Sequence, residues 1–410
     1  MNCFVMLATI VSGWLTLGPT AAVADVTHVP AANTKVPGVT KPNVLSPELA
    51  EVVRATGAIR LENPESPVVF YGYDDNQPNF VPLPGGSNVE ARKTEPDKNT
   101  CLVLGQQKGA DPSYDYGTHF LFQGHEAGPG YITRINLDAD VAHRVTLMAS
   151  KDVTGKPLPA FDGSTWYPWA QRLLFTAENS ANGGVWQATL DFPSQVEDVS
   201  GVFGRGYEGI QADSFGNLWI VEDVGGSSGV QNPQARQPNS FVYRLVPYDK
   251  HDLKAGGKLQ VLAVKSQAHS GNIVFNSGTP DTDITSQDIK DLHTYGKRFD
   301  TSWITVHDTT VSGFTPFDAN KLAKGVGTPM LADLEEPAEA AAGGADLGQR
   351  VGVGGLREEE LAEARAFKRP ENGVFRPGCY GPKSSDTSPP SQRSRYGRNG
   401  EILASKAASG

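Results

Sequence analysis

The strongest constraint on this chain is a repeated unit: a short apolar run ending at an acid, a glycine-rich turn, then a second strand-like run. Phe120-Leu121-Phe122 leads to Glu126, and the chain resumes as Tyr131-Ile132-Thr133-Arg134-Ile135. Leu173-Leu174-Phe175-Thr176-Ala177 reaches Glu178, passes Gly183-Gly184 and resumes as Val185-Trp186-Gln187-Ala188-Thr189-Leu190. Leu218-Trp219-Ile220-Val221-Glu222 reaches Asp223, passes Gly225-Gly226 and resumes as Phe241-Val242-Tyr243-Arg244-Leu245. A fourth, partial copy is Trp303-Ile304-Thr305-Val306-His307-Asp308. The acids stand 52, 45 and 85 residues apart, the last gap being close to two periods.

A period of about 40–50 residues built from short strands is the pattern of a β-propeller. A four-stranded blade cannot bury both of its faces alone, and stacking around an axis buries them against neighbours. The 45 glycines and 29 prolines among 410 residues agree with a turn-rich β protein rather than a helical bundle. The expected fold is therefore an all-β propeller of six blades, with an incomplete last blade. Asp213-Ser214-Phe215-Gly216-Asn217 reads as an ordinary hairpin turn with Asp213 in a structural role. Trp166, Trp169, Trp186 and Trp219 read as packing between blades.

Composition shifts divide the rest. Residues 1–24 hold an apolar stretch ending in Ala22-Val23-Ala24, as a cleaved secretory signal does, so the protein is expected to be secreted or periplasmic. Residues 25–45 read as a linker, 46–330 as the propeller, and 331–366 as an Ala/Glu/Gly-rich insertion. Residues 367–379 return to the earlier character, and 380–410 form a polar tail of the disordered type, as an altered reading frame or a degraded copy would. Cys3 leaves with the signal; Cys101 and Cys379 remain, and their spacing leaves a disulfide open. No Cys/His zinc spacing is present. The formal charge of −10 and the lack of a basic run speak against nucleic acid or an anionic membrane as partner. A monomer acting on a small molecule is the expectation.

An acid at the same place in each blade points to one end of the propeller axis, so Glu126, Glu178, Asp223 and Asp308 are expected to converge. Converging carboxylates repel and raise one another's pKa unless a cation lies between them. Hard oxygen donors in an acidic pocket suit calcium.

Several segments, in order, resemble the PhoX-type alkaline phosphatases over residues 65–378. Gly124-His125-Glu126 resembles the family's Asn-His-Glu, and Thr176-Ala177-Glu178-Asn179 its Thr-Cys-Glu-Glu. Gly204-Arg205-Gly206-Tyr207-Glu208 resembles Gly-Arg-Phe-x-His-Glu. Glu222-Asp223 followed by Phe241-Val242-Tyr243-Arg244 resembles Glu-Asp then Phe-x-Tyr-Arg, and Arg369-Pro370-Glu371 resembles Arg-Pro-Glu. The resemblance implies a metal-dependent phosphatase that hydrolyses phosphate monoesters at an iron–calcium cluster. It adds Glu208 and Glu371 to the metal ligands and proposes Arg369 as the phosphate-binding residue. In an extended segment Arg369 and Glu371 face the same way, which places a guanidinium fork beside a ligating acid. Ala177 stands where the family has cysteine and cannot ligate, which leaves calcium as the expected cation and iron without its thiolate. Two rival readings stay open: a non-catalytic propeller stabilised by calcium, and a calcium-dependent lactonase-type hydrolase. His125, His293 and His307 show no nucleophilic arrangement, and His307 reads as a core residue.

Overall fold

The computed structural model describes residues 52–73, 94–178 and 183–329. It also describes Thr27, residues 46–50 and the backbone of 80–82, 88–90, 373–374 and 403–404. The proposed signal, insertion, returning segment and tail lie outside the described residues, apart from those short pieces. So do Arg369 and Glu371. The chain divides into a small unit, Met1–Arg54 with Ser409–Gly410, and a large one, Ala55–Ala408. In the small unit the Ser46 hydroxyl donates to the Thr27 carbonyl and the Thr27 amide to Glu48.

The large unit is built from antiparallel meanders, because each apolar run is followed by a turn that returns the chain beside itself. A short pair, β1 (Arg60–Glu65) and β2 (Val68–Phe70), comes first. A second pair follows, β3 (Phe80–Pro82) and β4 (Asn88–Glu90). The first meander runs β5 (Pro96–Val103), β6 (His119–His125), β7 (Ile132–Asn136) and β8 (Val145–Ala149) in sequence order. The second runs β9 (Ser164–Tyr167), β10 (Arg172–Ala177), β11 (Gly184–Ala188) and β12 (Val196–Asp198). The third runs β13 (Gly209–Ala212), β14 (Leu218–Val221), β15 (Val242–Pro247), β16 (Gly257–Val264) and a fifth strand, β17 (Thr301–Asp308). The three full copies of the sequence repeat are the hairpins β6–β7, β10–β11 and β14–β15, the middle of each meander.

Side-chain alternation decides how the meanders stack. Along β10, Leu173, Phe175 and Ala177 join Phe120, Phe122 and Ile132 of the first meander in one core. Leu174, between them, joins Ile210, Leu218 and Tyr243 of the third in another. The second meander is thus buried on both faces, and each fully buried Leu or Phe there contributes about 1.5–3 kcal/mol. The far face of the first meander (Ile135, Val145, Leu147) is covered by Leu61, Val68 and Tyr71 of the β1–β2 region. The far face of the third (Val221, Val242, Leu262) is covered by Ile273, Phe275 and Ile289, the last in the helix α1 (Gln287–Leu292). Among the described residues the stack therefore has two ends, one closed by a strand pair and the other by a helical segment.

The hairpin reading of Asp213 holds in detail. Its Oδ1 accepts from the Phe215 and Asn217 amides at 2.8 and 2.9 Å, and Gly216 takes the positive φ of 89° that the turn needs. Trp186 is buried between the first two meanders, with Trp166 packed partly against the same core. Trp219 is buried in the far-face core of the third meander, and Trp169 packs partly against the core shared by the second and third.

Candidate metal centre

Strand order determines where the acids go. In an antiparallel hairpin the start of one strand lies beside the end of the next. Pro96 at the head of β5 pairs with His125 at the tail of β6, so Asp97 and Glu126 share one end of the first meander. Asp162 precedes β9 and Glu178 follows β10; the Glu178 amide donates to Asp162 Oδ2 at 3.2 Å. Glu208 precedes β13 and Asp223 lies just past β14, with Gly209 paired to Val221 between them. Each meander thus brings two acids to the same place, one at or just before the start of its first strand and one after its second.

These six carboxylates form three overlapping triads: Asp97 with Asp162 and Glu208, Glu126 with Asp162 and Glu178, and Glu178 with Glu208 and Asp223. One oxygen from each member lies within 4.8 Å of the others in its triad. Two oxygens on opposite sides of a calcium ion lie about 4.8 Å apart, each bond being about 2.4 Å, so the donor set and its span fit a hard divalent cation. Asp162 and Glu208 are buried, while Glu126 is exposed. Burial, followed by the charges of Glu178, Glu126 and Asp97, drives the Asp162 carboxyl far above the usual carboxylate range. Burial and the neighbouring Asp162 and Glu178 do the same to Glu208, whose side chain is hydrogen-bonded to Glu178. Two carboxyl groups bond to each other only if one holds a proton. Asp162 Oδ1 is buried and accepts no hydrogen bond.

The loops carrying the acids are tied to one another by main chain. The Phe161 amide donates to the His125 carbonyl at 2.8 Å, Gly163 to Glu208 at 2.8 Å and Tyr207 to Ala177 at 3.1 Å. Thr176 Oγ1 also donates to the Glu208 carbonyl at 2.6 Å. Gly163 is required by close approach: a Cβ there would stand 2.6 Å from the Glu208 carbonyl oxygen and 2.8 Å from Gly209 Cα.

Of the acids named from the sequence, the structure brings Glu126, Glu178, Glu208 and Asp223 together. Asp308 is a correction. It sits on the fifth, outer strand β17, where its Oδ1 accepts from the Tyr248 hydroxyl and the Thr310 amide and so caps α2 (Thr309–Ser312). The strand-then-acid pattern is present there, but the strand's place in the sheet is different. Asp97 and Asp162 escaped the sequence reading because the repeat is an apolar run that ends at an acid, whereas these two acids stand at or just before the start of their strands, PDKNTCLV and STWY. The signal that could have found them is an acid just before a first strand, as Glu208 stands before β13.

No thiol belongs to the cluster among the described residues. Ala177 is fully buried in the core between the first two meanders. Cys101 is exposed and free on β5, facing Leu121 of β6.

Other polar residues around the cluster are structural partners. His125 hydrogen-bonds Thr94 Oγ1 at 2.9 Å and Thr133 Oγ1 at 2.8 Å, and stacks on Tyr131 at 3.9 Å. Burial lowers its pKa to about 3, so it stays neutral. Glu222 points away from Asp223's neighbours into a cage: it accepts from the Phe241 amide at 3.1 Å, the Tyr243 hydroxyl at 2.8 Å and Asn320 Nδ2 at 3.0 Å. Burial raises it to about 8. Lys98, next to Asp97, donates to the Ile210 carbonyl at 3.1 Å and Gln211 Oε1 at 3.3 Å; burial lowers it to about 8 against the pull of Asp97. His307 is a core residue, stacked on Phe317 at 3.7 Å with Nε2 against the Gly313 carbonyl.

No family model matches the chain, and no curated protein or solved structure matches it.

Proposed function

We propose that this protein is a secreted, metal-dependent hydrolase of phosphate monoesters, built on a β-propeller whose carboxylate cluster holds hard divalent cations, calcium foremost. The propeller reading is supported by three consecutive antiparallel meanders stacked face to face. The observation that carries the cation reading is the buried Asp162 at the intersection of two triads, with one oxygen lacking any hydrogen-bond partner. A carboxylate in that position is very costly unless it is neutralised by a proton or a cation. Asp162, Glu178 and Glu208 each belong to two of the triads, so these three residues would be common to any ions held there.

The cations would polarise phosphate oxygens and lower the pKa of a bound water. The residues of this chain do the rest. Asp97, Asp162, Glu178, Glu208 and Asp223 would hold the ions, with Glu126 the exposed member of the set. Arg369, which lies outside the described residues, is proposed from the motif resemblance to bind a non-transferring phosphate oxygen through its guanidinium fork. The phosphatase assignment itself rests on the motif resemblance.

Hydrolysis of p-nitrophenyl phosphate by the full chain, with calcium and then with chelator, tests the reading. Turnover that chelator abolishes and calcium restores supports it, and Arg369→Ala should then lose activity while retaining calcium binding. The fully buried Ala177, which leaves the site without a thiolate, favours one second reading: a calcium-stabilised propeller without catalysis. Calcium-dependent melting with no turnover would select that alternative. Turnover insensitive to chelator would overturn both.

A further inference from the structure

The first strands of the three meanders meet at one residue. Lys98 lies on β5, and its ammonium reaches across to β13, donating to the Ile210 carbonyl at 3.1 Å and to Gln211 Oε1 at 3.3 Å. Its own carbonyl accepts from Ser164 Oγ of β9 at 2.9 Å, and that hydroxyl is 2.8 Å from Thr100 Oγ1 of β5. One residue therefore touches β5, β9 and β13. Each contact falls close to an acid: Asp97 precedes Lys98, Asp162 lies two residues before Ser164, and Glu208 lies two residues before Ile210. Those three acids are the members of a single triad.

An ammonium is strongly hydrated and is withdrawn from water only where acceptors replace that hydration. Here two oxygens on a strand 112 residues away do so. Asp97 and Lys98 fall where the β5–β6 pairing is irregular, between Pro96 and Asn99, and it is the Lys98 stem that reaches across to β13. From this geometry we infer that Lys98 is the positioning residue of the carboxylate centre: its ammonium clamps β5 to β13, with β9 held by its carbonyl, at the register that keeps Asp97, Asp162 and Glu208 within reach of one cation. The inference rests on reading the cluster as a cation centre. Lys98 ligates nothing itself, and it acts through the backbones of three strands.

A clamp and a bare positive charge predict opposite effects, because a nearby ammonium repels an incoming cation. The test is terbium binding to the full chain, read by sensitised luminescence and by the lifetime difference between H2O and D2O. Lys98→Met keeps the apolar stem and removes the donors. The expected result is about tenfold weaker binding at the tightest site and more water on the bound ion, because Asp97 drops out of the shell. Unchanged affinity and hydration would overturn the clamp, and so would tighter binding. If Lys98→Met does not fold, Gln211→Leu removes one acceptor only and should weaken binding about threefold; no change there would also overturn it. A wild-type chain that binds neither terbium nor calcium would sink the cation reading itself, whereas wild-type binding matched by the variants would sink only the role of Lys98.

Discussion

Asp162 holds one carboxylate oxygen against the Glu178 amide while the other is buried without a hydrogen-bond partner. Such a side chain is stable when protonated or against a cation, and strained when ionised alone. Asp162→Asn removes the charge and keeps the shape. The chelated variant should be more stable than chelated wild type, by about 1–3 kcal/mol, and calcium should no longer raise its melting temperature. Calorimetry of both proteins, with and without calcium, measures this. The pH dependence follows from the same groups. Burial raises Glu222 from 4.5 to about 8, and burial with mutual repulsion pushes Asp162 and Glu208 the same way. A carboxyl whose folded pKa exceeds its unfolded value binds its proton more tightly in the folded state. Its stabilising contribution is full at acid pH and is lost as pH rises through the folded value. The chelated protein should therefore melt lower near pH 8 than near pH 5 (about one pH unit either way). Calcium competes with those protons, so the rise in melting temperature that it produces should grow over the same interval.

At the level of elements, the centre depends on where strands begin and end rather than on their middles. Every acid of the cluster sits at or just beyond a strand terminus, on a loop pinned to its neighbour by main-chain bonds such as Gly163 to Glu208. Gly163→Ala would place a methyl against the Glu208 carbonyl and Gly209. The expected cost is about 1–3 kcal/mol of stability, with weaker calcium binding because Glu208 and Asp162 are pushed apart. Denaturant unfolding gives the first quantity and a calcium titration the second; unaltered affinity would mean that the loop yields elsewhere. Asp308 illustrates the converse. Its strand matches the repeat, but as the fifth member of a sheet it runs along the outer edge and its acid caps a helix turn.

For the whole molecule, the layers are interdependent because the second meander has no face of its own in water. Leu174 belongs to the core shared with the third meander, and Phe175, its neighbour, to the core shared with the first. The carboxylate cluster adds a second link, since each triad draws on at least two meanders. Cation removal should accordingly act on all three together. Native-state hydrogen exchange with and without chelator should show protection falling in β6, β10 and β14 by similar amounts. Loss confined to one meander would mean that the cluster does not couple them.

How much of this was legible in advance follows from the range of each signal. A strand, a turn and an acid are local patterns, so Glu126, Glu178 and Asp223 could be read from the repeat and Glu208 from its motif. The meanders could be read from the periodicity of apolar runs, because a run that buries both faces needs neighbours on both sides. Asp97 and Asp162 could not, since they stand at or just before the start of their strands, whereas the repeat places its acid at the end of an apolar run. Nor could the fate of Asp308, which depends on a strand's rank in its sheet. The sequence by itself determined the antiparallel β architecture and the kind of atom at the centre, hard carboxylate oxygen. Only the tertiary structure decided which six acids meet, because convergence depends on which strand ends lie side by side, and that is settled by pairing and stacking over separations of a hundred residues.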